Sequence, residues 1–152
     1  MALEGLWLAQ AMKHSSWLYP TVETAHLWGV ALLFGSVVMM DLRVLGFASK
    51  IDQSSLARFG ILIALTGFSL AVATGSLMFI TQASELIHSR LFILKMCLIF
   101  ALLANAIILR TRITHNTLSK VQAIGSLIGW ACVIGMGRWL AYLSYSHPGG
   151  TM

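Results

Sequence analysis

Three titratable side chains, His26, Lys95 and Arg138, lie within long apolar runs of this sequence. A charged side chain inside a membrane-spanning helix costs about 2.5–3.5 kcal/mol on insertion scales, so each of the three marks a candidate functional site. An imidazole can ligate a metal or form hydrogen bonds, and an ammonium or guanidinium group binds carboxylates. The three side chains together therefore suit an anionic ligand that also needs a nitrogen donor.

A b-type haem would use all three groups. Haem needs a neutral imidazole nitrogen for its iron, apolar walls for the macrocycle and cations for its propionates. His26 suits the iron, and Lys95 and Arg138 suit the propionates. A quinone would instead accept hydrogen bonds from His26 and Lys95. The candidates for a second axial ligand are first His88, then Met78, His14 and His147.

Further polar and small residues accompany this set. Glu23 lies about one helical turn before His26. In the second apolar run, Gly75 is expected at about the same depth as His26. Its missing side chain lets a flat ligand approach the backbone there. The short segment before the third apolar run carries Glu85, His88 and Arg90. We assign Glu23, Gly75 and His88 to the same candidate site.

Two other interpretations use the same residues. In a purely structural one, Lys95 extends its ammonium to the membrane interface and His26 forms a hydrogen bond between helices. Arg138 then pairs with Glu23 or Glu85. In a copper-handling protein soft sulfur ligands would cluster, but the sequence has no Met-x-x-Met or Cys-x-x-Cys motif.

The composition indicates the surroundings of these side chains. Apolar residues make up 58% of the 152 residues and charged residues 10%, against roughly 45–50% and about 25% in a soluble domain. We therefore predict an all-α integral membrane protein. The net charge of +5 does not indicate nucleic acid, because basic residues flank apolar runs and form no stripe. Cys97 and Cys132 are expected to be buried as small apolar residues.

Four apolar runs are long enough to cross about 30 Å of hydrocarbon as helices. They cover residues 19–40, 59–81, 91–109 and 121–143, with short connections and an N-cap expected at Ser54 or Ser55. Short connections predict an up-down-up-down four-helix bundle over residues 19–143. Residues 1–18 are predicted to form a short interfacial amphipathic helix, and residues 144–152 a short periplasmic tail. Small residues four apart, at 67, 71 and 75 and at 125 and 129, predict close helix packing.

Lysine and arginine are distributed unevenly between the two ends of the predicted bundle. The loops at one end carry Arg43, Lys50, Arg58, Arg110, Arg112 and Lys120. By the positive-inside rule that end is cytoplasmic, which predicts a bacterial inner-membrane protein with both termini periplasmic. At about 1.5 Å of rise per residue, His26, Lys95 and Arg138 then share one layer roughly 6–10 Å below the periplasmic surface.

Short motifs follow one another in a definite order over residues 17–143. They are Trp17-x-Tyr19-Pro20-x-x-Glu23-x-x-His26-x-x-Gly29, Asp41-Leu42-Arg43-x-x-Gly46, Thr74-Gly75-x-x-x-Phe79, Phe92-x-x-Lys95 with Asn105, and Gly137-Arg138-Trp139-x-Ala141-Tyr142. In this order they resemble an uncharacterised bacterial family of small four-helix integral membrane proteins, itself distantly similar to copper-resistance D-type and b-type cytochrome membrane bundles. The resemblance implies the four-helix fold and no particular activity. It directs attention to Glu23, His26, Asp41, Arg43, Lys95, Asn105 and Arg138, and His88 lies outside the pattern.

These observations predict a small membrane electron-transfer protein that holds haem b, or a quinone, near the periplasmic face and exchanges electrons with a periplasmic redox partner. Two alternatives stay open, a non-catalytic membrane subunit or oligomeric scaffold and a copper-handling membrane protein. A stand-alone enzyme is not indicated, because no nucleophile–base pair, phosphate-binding glycine loop or zinc motif occurs. The expected partners are the lipid bilayer and a second copy of the chain or a larger membrane complex.

Overall fold

The described part of the computed structural model is helical. It comprises residues 7–47, 49–111 and 117–146, and no strand occurs in these ranges. The helices are α1 (Trp7–His14), α2 (Leu18–Leu45), α3 (Gln53–Thr81), α4 (Ala83–His88), α5 (Arg90–Thr111) and α6 (Thr117–Ser146). The predicted all-α class is confirmed.

Four of these helices are long and apolar enough to cross a membrane: α2, α3, α5 as far as Leu109, and α6 as far as Trp139. Large apolar side chains on them are exposed, such as Phe59 at 62% and Phe100 at 69%. Soluble monomers rarely expose large contiguous apolar patches, whereas lipid chains are suitable neighbours for them. The chain is a multi-pass membrane protein.

The first long connection is shorter than the sequence predicts. Helix α2 continues to Leu45, so Asp41 and Arg43 belong to the helix and the loop begins at Gly46. Gly46 adopts a left-handed conformation with φ of 104°, which glycine reaches without steric cost and which commonly ends a helix. Its N–H donates to the carbonyl of Arg43. Arg43 also donates from Nε to the carbonyl of Ile51 at 3.0 Å, which ties the loop back to α2.

Asp52 is the N-cap of α3, so the prediction of a cap at Ser54 or Ser55 is wrong. Its Oδ2 accepts the backbone N–H of Ser55 at 2.8 Å and the hydroxyl of Ser54. A carboxylate is the better cap here because it satisfies a free N–H at the start of the helix and also complements the helix dipole. The hydrogen bonds from Ser54 and Ser55 lower the pKa of Asp52 to about 2.

The chain divides into two compact units, Met1–His88 and Ser89–Met152. In the first unit α2 and α3 are antiparallel, since Gly29 lies against Gly67 while Met40 lies against Gly60. Helix α1 contacts α2 and α3, and its Ala9 and Met12 are buried. Residues 1–6 lie outside the described residues, and the interfacial position of α1 stays a prediction. The segment predicted as a plain connection between the second and third spans contains α4.

The helix crossing in the first unit brings two backbones into contact. A Cβ on Gly67 would lie 2.6 Å from the carbonyl oxygen of Gly29 and 2.6 Å from the amide nitrogen of Leu33. A Cβ on Gly29 would lie 2.8 Å from the amide nitrogen of Ala71. The close packing predicted for Gly67 and Ala71 is confirmed, and Gly29 is its partner on α2.

In the second unit α5 and α6 are also antiparallel. Leu102 packs on Gly129, and Lys95 reaches Gly137. The packing role predicted for Gly129 is confirmed. At Gly125 a Cβ would meet no described atom within 4 Å, so packing at that position is not seen. The four-helix up-down order involves both units and stays a prediction.

The exposure of both cysteine side chains differs from the prediction. Cys97 on α5 and Cys132 on α6 are exposed free thiols, so the expected burial is wrong. Apolar residues occur around the whole circumference of these helices, because lipid can cover any face that protein leaves open. Position within an apolar run therefore does not show which face of the helix a residue occupies.

Candidate functional site

His26 lies at the contact between α2 and α3. Its Nδ1 is 3.0 Å from the carbonyl oxygen of Ala71 and 3.0 Å from Oγ1 of Thr74. A carbonyl oxygen can only accept, so Nδ1 carries the proton and donates it. The hydroxyl of Thr74 donates to the carbonyl of Leu70 at 2.6 Å, and its oxygen accepts from His26. In the neutral ring, Nε2 then carries the lone pair.

The absence of a side chain at Gly75 makes room for the imidazole of His26 against α3. A Cβ at Gly75 would lie 3.2 Å from Cε1 of His26 and 3.5 Å from Nδ1. The flat group that approaches the backbone at Gly75 is therefore the His26 ring itself. A methyl group here would push the ring by a few tenths of an ångström, which would disturb the hydrogen bonds of Nδ1.

His26 lies on the face of α2 that packs in the core of the first unit. The buried residues of α2 recur at three- and four-residue spacing and are Gly29, Leu33, Ser36, Val37 and Asp41. His26 extends this stripe by one turn toward the start of the helix, where it is half-buried. The opposing face of α3 carries Gly67, Ala71 and Thr74. The sequence shows the stripe of small residues on α3, but nothing in the sequence pairs Thr74 with His26.

Glu23 and Met78 lie close to this contact along the chain. Glu23 is half-buried on α2, one turn before His26. Met78 is half-buried on α3, one turn beyond Thr74. Because α2 and α3 are antiparallel, both residues lie toward the same end of the hairpin. Met78 thus shares a helix face with the residues that hold the imidazole.

The other histidines are placed elsewhere. His88 ends α4 and is exposed, and its Nδ1 is 2.9 Å from the carbonyl oxygen of Ser84 one turn earlier. His14 is exposed at the end of α1. His147 lies outside the described residues. The structure does not decide between these candidates, and a second axial ligand stays a prediction.

Lys95 on α5 and Arg138 on α6 both belong to the second unit. Nζ of Lys95 is 3.2 Å from the position of a Cβ on Gly137, and Arg138 is exposed at the next position of α6. These two residues therefore occur at one end of the α5–α6 hairpin, and their depth in the membrane stays a prediction. The prediction that Lys95 and Arg138 lie at the same membrane depth as His26 involves both units and stays a prediction.

A cleft at the junction of α1, α2 and α3 was not foreseen from the sequence. It has a volume of about 300 Å³, and its polar lining includes Lys13, Tyr19, Thr81 and Gln82. Nε2 of Gln82 donates to the hydroxyl of Tyr19 at 3.4 Å. The lining residues of positions 12–20 are far in sequence from those at positions 81 and 82, so only the folded chain brings the two groups together.

Comparisons with protein-family models, curated proteins and solved structures found no match. The four long apolar helices are compatible with a small helical membrane protein, and the family named above stays a resemblance of motifs. Among the side chains that the structure describes, no group of three His, Cys, Asp or Glu could hold a metal ion.

Proposed function

We propose that this protein is a small membrane electron carrier that holds a b-type haem through Nε2 of His26. The observation that supports this proposal is the hydrogen bond from His26 Nδ1 to the carbonyl of Ala71. Metal-ligating histidines almost always donate their other ring N–H to a carbonyl, a carboxylate or water. Such a bond sets the tautomer and orientation of the ring and raises the basicity of the ligating nitrogen.

The surroundings of His26 fit this cofactor in their chemistry. The helices around it are apolar, and the ring needs the space that Gly75 leaves. His88, and after it Met78 and His14, would be the candidates in the first unit for a second ligand to the iron. A b-type haem supplies one-electron redox chemistry when it is bound. The chain itself orients the imidazole through Ala71 and Thr74.

The proposal includes the placement of this site in the membrane. The chain forms an up-down-up-down bundle in a bacterial inner membrane, with α1 at the interface and both termini periplasmic. His26 then lies near the periplasmic face, and the carrier passes electrons between the quinone pool and a periplasmic redox partner. The bias of lysine and arginine toward the opposite loops supports this orientation.

A haem titration of the detergent-solubilised protein tests the proposal. We expect addition of haemin to the wild-type protein to give a saturable Soret band, and His26→Ala to abolish it. His115→Ala removes a histidine outside the candidate ligands and serves as the matched control. Circular dichroism checks that each variant is folded. Equal haem affinity of folded His26→Ala and wild type would exclude His26 as the ligand.

A second candidate function is a non-catalytic membrane subunit or scaffold. The contact of Gly29 with Gly67, together with the His26 hydrogen bonds, favours it, because these features tie α2 to α3 whether or not a ligand binds. In that case the protein is colourless, and His26→Ala lowers its thermal stability without any change in redox behaviour. Measuring haem binding and melting on the same samples separates the two functions.

A further inference from the structure

We propose that Lys95 and Arg138 bind the phosphate of an anionic phospholipid at one end of the α5–α6 hairpin. Lys95 is half-buried in a membrane-spanning helix, and its side chain crosses to α6. The absent side chain of Gly137 makes room for the ammonium group. This arrangement holds Nζ against α6 at Gly137, one residue before Arg138, whose guanidinium is a strong partner for phosphate.

The second unit offers these cations no carboxylate. Residues 89–152 contain no Asp or Glu, and their lysines and arginines stand at positions 90, 95, 110, 112, 120 and 138. No hydrogen bond or ion pair of Lys95 or Arg138 is found in the part of the chain that the structure describes. A cation held within an apolar helix pair in this way calls for an anion from outside the unit.

The neighbouring aromatic residues indicate that this anion is a lipid headgroup. Trp139 and Tyr142 are 61% and 65% exposed on α6, and their ring centroids are 6.4 Å apart. Exposed Trp and Tyr near the end of a spanning helix are typical of the membrane interface. Lipid phosphates lie just beyond this level, within reach of long lysine and arginine side chains that extend toward the interface.

Native mass spectrometry of the full chain in detergent tests the proposal. The protein is titrated with phosphatidylglycerol, with phosphatidylcholine and with inorganic phosphate. We expect preferential phosphatidylglycerol adducts on the wild-type protein and about tenfold weaker binding in Lys95→Gln and in Arg138→Gln, since each loses a charge-assisted hydrogen bond. Arg138 is exposed, so its substitution leaves the helix packing intact.

Lys120→Gln is the matched control because it removes the same charge from an exposed site at the other end of α6. It should bind phosphatidylglycerol like the wild type. An equal loss in Lys120→Gln would show unspecific attraction and overturn the proposal. If inorganic phosphate competed with phosphatidylglycerol at the same affinity, the ligand of this site would be a free phosphate ion and not a lipid. Unchanged lipid binding in Lys95→Gln and Arg138→Gln, with loss of haem binding, would assign the two cations to haem propionates.

Discussion

Replacing Gly67 by alanine tests the helix contact that positions His26. The new methyl carbon would start 2.6 Å from backbone atoms of Gly29 and Leu33, and an ordinary contact begins at 3.4 Å. The two backbones must therefore separate by about 0.8 Å, and overpacking of this kind costs about 1–3 kcal/mol. The upper end of this range applies because the nearest atoms of Gly29 and Leu33 belong to the backbone and not to a flexible side chain. Alanine also favours the helix by about 1 kcal/mol, so the net loss is about 2 kcal/mol.

Two other glycines of the same unit provide controls for this prediction. Gly60→Ala meets the flexible end of Met40 at 3.0 Å, and Gly35→Ala meets nothing within 4 Å. Unfolding free energies in mixed micelles should fall most for Gly67→Ala, less for Gly60→Ala, and not at all for Gly35→Ala. Gly67→Ala as stable as Gly35→Ala would refute the close approach of α2 and α3.

Two further predictions concern the loop and the thiols. Asp52→Ala removes the cap of α3 and should lower the melting temperature at neutral pH, while Asp52→Asn keeps most of it. Because the folded pKa is about 2 and the ordinary value is 3.8, the contribution of the ionised carboxylate is present above the ordinary pKa and is lost as the pH falls through the folded pKa. The melting temperatures of wild type and Asp52→Ala should therefore draw closer in acid, where the wild type approaches Asp52→Asn, and a constant difference would contradict the ionised cap. Because lipid covers the exposed faces of α5 and α6, Cys97→Ala and Cys132→Ala should leave the melting temperature unchanged, and a clear drop would contradict the exposure of these side chains.

The sequence predicts the spans well because a membrane helix needs a long apolar run and little else. Gly67 and Ala71 could be assigned to packing from their spacing alone, since small residues four apart allow close approach on one face. The sequence did not indicate that Gly29 is their partner, because the partner depends on how the helices align. The same limit applies to Thr74, whose contact with His26 depends on the register between α2 and α3.

The ends of the helices were harder to predict for a different reason. Hydropathy marks the part of a helix that lies in lipid, whereas Asp41 and Arg43 continue α2 beyond the apolar run. The capping residue was misassigned because Asp52, Ser54 and Ser55 are all good caps by type. The hydrogen bonds in the folded loop distinguish them.

The absorption spectrum of the protein purified from haem-replete cells tests the central claim most directly. It is recorded first in the oxidised state and then after reduction with dithionite. The proposed electron carrier predicts sharp reduced bands of a b-type haem, which His26→Ala removes while His115→Ala keeps them. A flat visible spectrum from correctly folded wild-type protein would contradict the haem site at His26.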